Sequence, residues 1–189
     1  MKASVILAHP YAKSFNHSIY QTVVDSLEKN NVVVYGHDLY KENFQPVLSE
    51  SELGTDQSED ILVKRYADEL VDSDFIIFIH PNWWGQPPAI LKGYIDRVIR
   101  PPYSYDFPEN DSGGGLPITK LDIKYAIVYN TANTDENREL NYFGDPLENI
   151  WGKCIFGFLG ITDYHRKMFR IIADSSESDR KIWLNEVKT

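Results

Sequence analysis

The chain has 189 residues, 42% of them hydrophobic and 25% charged, a composition typical of a globular protein with one domain over residues 1–189. Its formal net charge of −9 argues against nucleic acid as a partner, because phosphate backbones are bound by basic surfaces. The apolar run near the N-terminus is too short for a signal peptide, and no apolar stretch of about 18 residues occurs, so we expect a cytoplasmic protein without stable membrane insertion.

Short apolar runs alternate with segments of helical periodicity along the chain. Strands are predicted at residues 4–8, 32–35, 75–79, 125–129 and 167–172, and helices at 16–29, 59–71, 88–98, 147–158 and 178–187. Residues 38–57 are expected to be irregular, and residues 101–120 to form a long loop rich in proline and glycine. This alternation predicts an α/β fold, a doubly wound five-stranded parallel sheet of order 2-1-3-4-5 with helices on both faces.

Two unusual stretches follow the first and third predicted strands. The first strand runs into AHPYAKSFNHSIY and the third into HPNWWGQPPAILKG. In a doubly wound sheet these strand ends lie side by side at the switch point of the topology, where ligands bind. The functional site is therefore expected between them.

Ser14 and Asn16 stand at the start of the first predicted helix. Free backbone N–H groups and the helix dipole favour an anion at such a position, and the Ser14 hydroxyl can add a further donor to a phosphate. The alternative is that Ser14 or Asn16 only caps the helix. Taken alone, these residues leave both interpretations open.

Trp83 and Trp84 occupy a segment of turn residues directly after an apolar strand. Gly85 and the nearby prolines restrict this loop, and its amides and indoles suit the edge and face of a flat heterocycle. The alternative is that both indoles pack on the helix that begins at Pro88.

Small polar residues also follow the fourth strand. Thr131, Asn133 and Thr134 can face the same crevice, or they can form turns through their own side chains.

Several other kinds of site have little support in the sequence. The chain lacks the motifs G-x-x-x-x-G-K-[ST], G-x-G-x-x-G and G-x-S-x-G, which argues against nucleotide hydrolysis, the usual dinucleotide fingerprint and a hydrolase nucleophile. Its five histidines show no metal-ligand spacing, so no metal site is predicted. Cys154 is expected to be a buried thiol on an apolar helix face. The basic residues 165–167 and Arg170 are expected to form a solvated strand end.

The most specific pattern lies in His9 with Ser14-Phe15-Asn16, and in Pro81 through Gly93 with its run P-A-I-L-K-G. With these residues the chain resembles, over nearly its whole length, the flavodoxin-like NAD(P)H:quinone oxidoreductase family. That family includes bacterial modulator-of-drug-activity-B proteins and ancillary potassium-efflux oxidoreductases. The resemblance implies a flavodoxin-like fold, a bound flavin, a homodimer, and hydride transfer from NAD(P)H by a ping-pong cycle to a quinone or similar small aromatic acceptor. FAD is expected as the flavin, and FMN is the alternative.

The resemblance also assigns residues to roles. The implied cofactor-binding residues are His9, Ser14, Phe15, Asn16, Pro81, Asn82, Trp83, Trp84, Gly85, Thr131, Ala132, Asn133 and Thr134. In such proteins residues 9, 15 and 16 line the phosphate and adenine side, residues 82–85 meet the isoalloxazine, and residues 131–134 close over its pyrimidine end. Tyr105 and Phe107 match a Y-x-Y pair that the family places over the substrate pocket.

The chain departs from the family at the turn after the fourth strand. Family members often carry T-T-G-G there, followed by a Tyr and a His that assist hydride transfer, whereas this chain reads T-A-N-T, with Glu139 and Phe143 near the later places. The catalytic residues therefore stay unassigned. Two alternatives stay open: a flavin-binding regulatory subunit of a membrane transporter, and an azo- or nitroreductase.

Overall fold

The computed structural model of the protein describes residues 1–54 and 57–187. Its strands are β1 Lys2–Leu7, β2 Val33–Asp38, β3 Phe75–Pro81, β4 Tyr105–Asp106, β5 Ile118–Thr119, β6 Tyr125–Thr131 and β7 Tyr164–Phe169. Its α-helices are α1 Phe15–Lys29, α2 Ile61–Val71, α3 Ala89–Val98, α4 Pro146–Glu148 and α5 Glu177–Asn185. A 3-10 helix spans Glu50–Glu52, and two π-helices, π1 and π2, span Arg138–Phe143 and Asn149–Gly157.

Five strands form one parallel sheet in the order β2-β1-β3-β6-β7. This is the predicted order 2-1-3-4-5, so the flavodoxin-like fold is confirmed. The two-residue strands β4 and β5 pair antiparallel within the segment 101–120, which was expected to be a loop. The irregular segment predicted at 38–57 includes residues 55 and 56, which lie outside the described residues.

Each face of the sheet carries its own core, because alternate residues of a strand point to opposite faces. From β1, Ile6 joins a cluster with residues of α2, α3 and π2, whereas Val5 and Leu7 join a cluster with residues of α1 and β7. Burial on both faces explains why the central strands β1 and β3 are nearly continuous apolar runs.

The last strand begins earlier than predicted. β7 starts at Tyr164 and ends at Phe169, because its register pairs Ala126 with Tyr164 and Thr131 with Phe169. Its polar residues are compatible with a strand that pairs on one side only. The expectation of a solvated basic end is wrong for Arg166, whose side chain is largely enclosed and forms ion pairs with Asp145 and Glu148.

The segment predicted as one helix at 147–158 is instead a turn of α-helix followed by π2. Its inward side is formed by Trp151, Ile155 and Phe156. Cys154 lies between these positions on the outside and is exposed, so the prediction of a buried thiol is wrong.

Within the described residues, no helix has the length and apolar character needed to cross a bilayer. The cytoplasmic location stays a prediction.

Candidate functional site

The carboxyl ends of β1, β3 and β6 meet at one edge of the sheet. The register places Pro81 beside Thr131, and the backbone N–H of Asn82 donates to the Thr131 carbonyl at 2.7 Å. A cavity of about 510 Å³ opens above these ends, and its walls are His9, Tyr11, Lys13, Ser14, Phe15, Asn16, Pro81, Asn82, Trp83, Thr131, Ala132, Asn133, Thr134, Ile172, Ala173 and Arg180. The structure therefore brings together all the predicted cofactor-binding residues except Trp84 and Gly85. We call this space the strand-end cavity.

Asn16 contributes an unsatisfied polar atom to the strand-end cavity. Its Nδ2 donates to Thr131 Oγ1 at 2.8 Å, which fixes the orientation of the amide and ties α1 to the end of β6. Its Oδ1 is buried and has no hydrogen-bond partner among the described residues. A buried acceptor without a partner is costly, so this oxygen is suited to a ligand that donates a hydrogen bond.

Ser14 is the N-cap of α1. Its Oγ accepts from the backbone N–H of His17 at 3.3 Å and also lies 2.9 Å from His17 Nδ1. The capping interpretation is therefore confirmed, while the hydroxyl still borders the cavity. Because the first N–H groups of a helix have no partner within it, the start of α1 also offers backbone donors to an anion.

His9 lines the strand-end cavity with a partly buried ring. Partial burial lowers its pKa, and the charge of His17 lowers that pKa further. Its Nδ1 accepts from the backbone N–H of Tyr11 at 3.1 Å, so the ring proton lies on Nε2. The imidazole centroid is 6.2 Å from the Trp83 ring, which places a hydrogen-bond donor beside an aromatic wall.

The Trp83–Gln86 segment, which we call the aromatic turn, is closed by reciprocal backbone hydrogen bonds of 3.1 and 3.0 Å between Trp83 and Gln86. Trp84 and Gly85 both have positive φ, 58° and 70°. A Cβ at position 85 would lie 2.6 Å from Pro146 Cγ, so this position requires glycine in both conformation and space.

Packing on α3 does not account for both indoles. Trp83 is 42% exposed and Trp84 is 100% exposed, so the packing alternative is wrong for Trp84 and accounts for only part of Trp83. Exposure of two large aromatic rings beside a cavity is typical of a binding surface.

A second cavity of about 620 Å³ adjoins the first. It is lined by Asn82, Trp84, Gly85, Thr134, Glu139, Tyr142, Phe143 and Pro146, and it shares Asn82 and Thr134 with the strand-end cavity. We call it the aromatic cavity. The two residues that depart from the family pattern, Glu139 and Phe143, both lie here.

Glu139 is buried, with 1% of its surface exposed. Its Oε1 accepts from Asn82 Nδ2 at 3.2 Å, and Asn82 Oδ1 accepts from the Gly85 N–H at 2.9 Å. Its Oε2 has no hydrogen-bond partner among the described residues. One side chain, Asn82, thus connects the aromatic turn to a buried carboxyl group.

The chain is similar to known proteins over almost all of its length. A family model described as a flavodoxin-like fold matches residues 1–184. The chain belongs to this flavodoxin-like family. An uncharacterized NAD(P)H oxidoreductase from Haemophilus influenzae is 31% identical over 186 residues, covering 96% of this chain and 89% of its own. The ribosyldihydronicotinamide dehydrogenase (quinone) of Pongo abelii is 30% identical over 171 residues, covering 78% of this chain and 74% of its own.

A solved structure supports the same assignment. The NAD(P)H:quinone oxidoreductase from Methanothermobacter marburgensis has a TM-score of 0.81 and 25% identity, covering 99% of this chain and 92% of its own. The resemblance stated from the sequence is thereby confirmed. This flavodoxin-like protein is an oxidoreductase.

Tyr105 and Phe107, the predicted substrate residues, line neither cavity of this flavodoxin-like oxidoreductase within the described chain. Their rings contact each other at 5.5 Å, and Tyr105 also contacts Phe158 at 5.5 Å. Phe107 is exposed. Their role in covering the substrate pocket stays a prediction. It requires that they cover the cavity of a second copy of the chain.

Sequence reasoning missed part of the site. Tyr142, Pro146 and Arg180 line the two cavities but were not predicted. Tyr142 could have been predicted, since it directly precedes Phe143 in the segment that the sequence analysis compared with the family's catalytic positions. Arg180 could not, because its place depends on how α5 packs.

Proposed function

We propose that this oxidoreductase is a flavoprotein that passes a hydride from NAD(P)H to a quinone or similar small aromatic acceptor. The observation that carries the proposal is the pair of adjoining cavities at the strand ends, joined through Asn82 and Thr134. One cavity is suited to a cofactor with an anionic tail, and the other to a flat aromatic molecule beside it. The named relatives support the donor and the acceptor class.

The strand-end cavity fits a flavin by the chemistry of its walls. Asn16 Oδ1 is a buried acceptor with no hydrogen-bond partner in the part of the chain that the structure describes, and Lys13 and Arg180 supply positive charge near the start of α1. The indole of Trp83 supplies an aromatic wall. In the 82–85 turn the N–H groups of Asn82, Trp83 and Gly85 are already donated within the chain. The Trp84 N–H has no hydrogen-bond partner among the described residues, so it is the donor that we propose this turn offers to a ligand.

A bound flavin would accept a hydride from the nicotinamide and donate it to the acceptor. The chain contributes binding, orientation and exclusion of water. Because one aromatic cavity adjoins the cofactor cavity, we propose a ping-pong order in which the oxidised nicotinamide leaves before the acceptor enters. FAD is the proposed flavin, because the segment from His9 to Asn16 is longer than the short phosphate loop of flavodoxins and suggests extended dinucleotide binding.

The test begins with the visible absorption spectrum of the purified protein and chromatography of the cofactor that it releases. We expect a yellow protein that is bleached by NADH or NADPH and recovers its colour on addition of menadione. A colourless protein that binds neither FMN nor FAD would overturn the proposal. Release of FMN would correct the cofactor and leave the reaction intact.

Turnover separates the remaining alternatives. Steady-state NAD(P)H oxidation with menadione is expected to exceed that with azo or nitroaromatic acceptors at equal concentration. Bound flavin without turnover on any acceptor would favour the regulatory subunit, and faster turnover on an azo dye would favour an azoreductase.

A further inference from the structure

We propose that Arg166 is a positioning residue of the acceptor site: through Asp145 it fixes the wall of the aromatic cavity that Pro146 forms. The inference deepens the proposed function and rests on it. It starts from a largely enclosed cation on β7 that lines neither cavity within the described residues, but that is paired with the residue next to a cavity wall.

Pro146 brings two walls of the aromatic cavity into contact. Its ring lies directly over Gly85 of the aromatic turn, since a Cβ at position 85 would lie 2.6 Å from Pro146 Cγ and 3.5 Å from its Cβ. Both residues line the cavity. Because the two walls are close-packed, a displacement of Pro146 changes the width of the cavity or moves the aromatic turn.

Asp145 determines where Pro146 lies, because it directly precedes Pro146 at the start of α4. Its backbone has φ 44° and ψ 67°, a left-handed conformation that only glycine adopts freely and that Asp and Asn tolerate better than other residues. Its N–H donates to the Glu139 carbonyl oxygen at 2.9 Å, which ties it to π1. A strained residue keeps its conformation only where its surroundings hold it, so the contacts of Asp145 also hold Pro146.

Arg166 holds the carboxylate of Asp145. The side chain of Arg166 is 8% exposed and that of Asp145 is 13% exposed. Arg166 Nη2 pairs with Asp145 Oδ2, Nε donates to Glu148 Oε2 at 2.7 Å, and Nη1 donates to Asn130 Oδ1 at 3.3 Å. A guanidinium is planar and its donors have fixed directions. Three contacts therefore fix its position, and it fixes the Asp145 carboxylate in turn.

The two carboxylate partners of Arg166 differ in what they contact. Asp145 is joined through its backbone to Glu139 and Pro146, which both line the aromatic cavity. The Glu148 side chain is 43% exposed, accepts from the Tyr164 hydroxyl at 2.7 Å and, among the described residues, lines neither cavity. Loss of either charge removes an ion pair of the same arginine, but only the loss at Asp145 releases a cavity wall.

The width of the aromatic cavity matters for the proposed reaction because the acceptor is flat. Such a molecule is bound by close contacts on its faces, and these weaken steeply when a wall moves away by about 1 Å. A loosened Pro146 should weaken acceptor binding in the ground state and the transition state alike. That change raises KM for the acceptor and leaves kcat almost unchanged. The strand-end cavity, which Pro146 does not line, should keep its affinity for the flavin.

The first test compares Asp145→Asn with Glu148→Gln in steady-state oxidation of NAD(P)H by menadione. Asn suits the left-handed backbone and the N-cap position, so the change removes mainly the charge that Arg166 holds. We expect Asp145→Asn to raise the KM for menadione about tenfold, with kcat close to wild type. Glu148→Gln is the matched control and should keep the wild-type KM. Titration of the Asp145→Asn apoprotein with FAD and with FMN should give wild-type flavin affinity.

The second test asks whether Arg166 acts through Asp145. Arg166→Lys keeps the charge but loses the fixed directions of the donors, so it should raise the KM for menadione about as much as Asp145→Asn does. If both changes release the same wall, their effects do not add. The double variant is then expected to have a KM close to that of either single variant.

A wild-type KM in Asp145→Asn overturns the inference, and so does a Glu148→Gln variant whose KM rises as much. Effects of Arg166→Lys and Asp145→Asn that multiply in the double variant would also overturn it, as would a loss of flavin affinity in Asp145→Asn equal to the rise in KM. If Arg166→Lys does not fold, the two carboxylate variants still decide. A protein that carries no flavin, or does not oxidise NAD(P)H, would instead refute the proposed function.

Discussion

His80 is a buried residue whose hydrogen bonds fix its protonation state. Its Nε2 meets the indole N–H of Trp151 at 3.0 Å and Asn130 Nδ2 at 2.9 Å, and its Nδ1 lies 2.8 Å from the Pro81 carbonyl oxygen. Because an indole N–H can only donate, Nε2 must be an unprotonated acceptor. The neutral ring thus anchors the end of β3 directly before the aromatic turn.

This arrangement predicts acid sensitivity. Burial lowers the pKa of His80 from 6.5 to about 4. Between these values the unfolded chain holds one more proton than the folded chain, so the stability contribution of neutral His80 is present above pH 6.5 and is lost as the pH falls towards about 4. The loss is up to about 3 kcal/mol in the free energy of unfolding.

The measurement is urea unfolding of wild type and His80→Gln across this pH range. The variant cannot take up the proton, so its stability should fall less steeply with acidification, whatever its stability at neutral pH. Equal slopes for both proteins would contradict the assignment.

Ser14 allows the capping role to be separated from the binding role. Ser14→Asp keeps an N-cap side chain and complements the helix dipole, so we expect its free energy of unfolding within about 0.5 kcal/mol of wild type. The same carboxylate faces the strand-end cavity and should repel the phosphate of a flavin, lowering affinity at least about tenfold.

Ser14→Ala is the matched control, since it removes the cap, at a cost of about 1 kcal/mol, without adding charge. Titration of apoprotein with FAD and with FMN, together with urea unfolding, checks both variants. Unchanged flavin affinity in Ser14→Asp would show that no phosphate lies near this residue.

At the level of elements, the run P-A-I-L-K-G at the start of α3 has a packing reason for its glycine. A Cβ on Gly93 would lie 2.2 Å from the carbonyl oxygen of Pro46 and 2.4 Å from its Cα. Pro46 belongs to the segment between β2 and α2, so this contact holds an irregular stretch against the helix that follows the aromatic turn.

Gly93→Ala is therefore expected to destabilise the protein. In an open helix the change would stabilise by about 1 kcal/mol, but here backbone atoms must move, and overpacking of this kind costs about 1–3 kcal/mol. Gly114→Ala, where the new methyl would meet nothing within 4 Å, should stay within about 0.5 kcal/mol of wild type. Thermal or urea unfolding of the two variants measures the difference in stability. A stabilised Gly93→Ala would show that the segment around Pro46 can move to accommodate the new methyl group.

The central elements could be predicted from the sequence, and the later ones only in part. β3 lies between two covered faces, so its apolar run and length were visible locally. β7 is set by its register with β6 and by the ion pairs of Arg166, which involve residues far away in the sequence. The π-helices could not be foreseen, because their apolar residues fit an α-helical spacing nearly as well.

For the whole molecule, the strand order predicted where a site would form, since a doubly wound sheet has one switch point. From this rule alone, the residues that follow three strands could be predicted to lie at one site, whatever their side chains. It could not predict the orientation of Asn82 or the burial of Glu139, which depend on the turn at 83–86 and on π1. It also could not place Tyr105 and Phe107, which line neither cavity of their own chain among the described residues.

The position of these two residues leads to the prediction of a homodimer. Phe107 is 51% exposed, and each chain also exposes Trp84 and Tyr142 at the aromatic cavity. A two-fold interface uses the same surfaces on both subunits, so one chain's Tyr105 and Phe107 can cover the aromatic cavity of the other. We therefore expect sedimentation to give twice the mass of the chain.

Phe107→Glu should convert the dimer to a monomer and reduce menadione turnover more than flavin content, because the proposed flavin site is built by one chain and the proposed acceptor site would be covered by both. Ile182→Glu is the control: Ile182 is similarly exposed but lies on α5, which packs on the opposite face of the sheet from Tyr105. A wild-type monomer with full turnover would contradict the prediction. Tyr105 and Phe107 would then have no substrate to cover, and the aromatic cavity of a single chain would have to bind the acceptor alone.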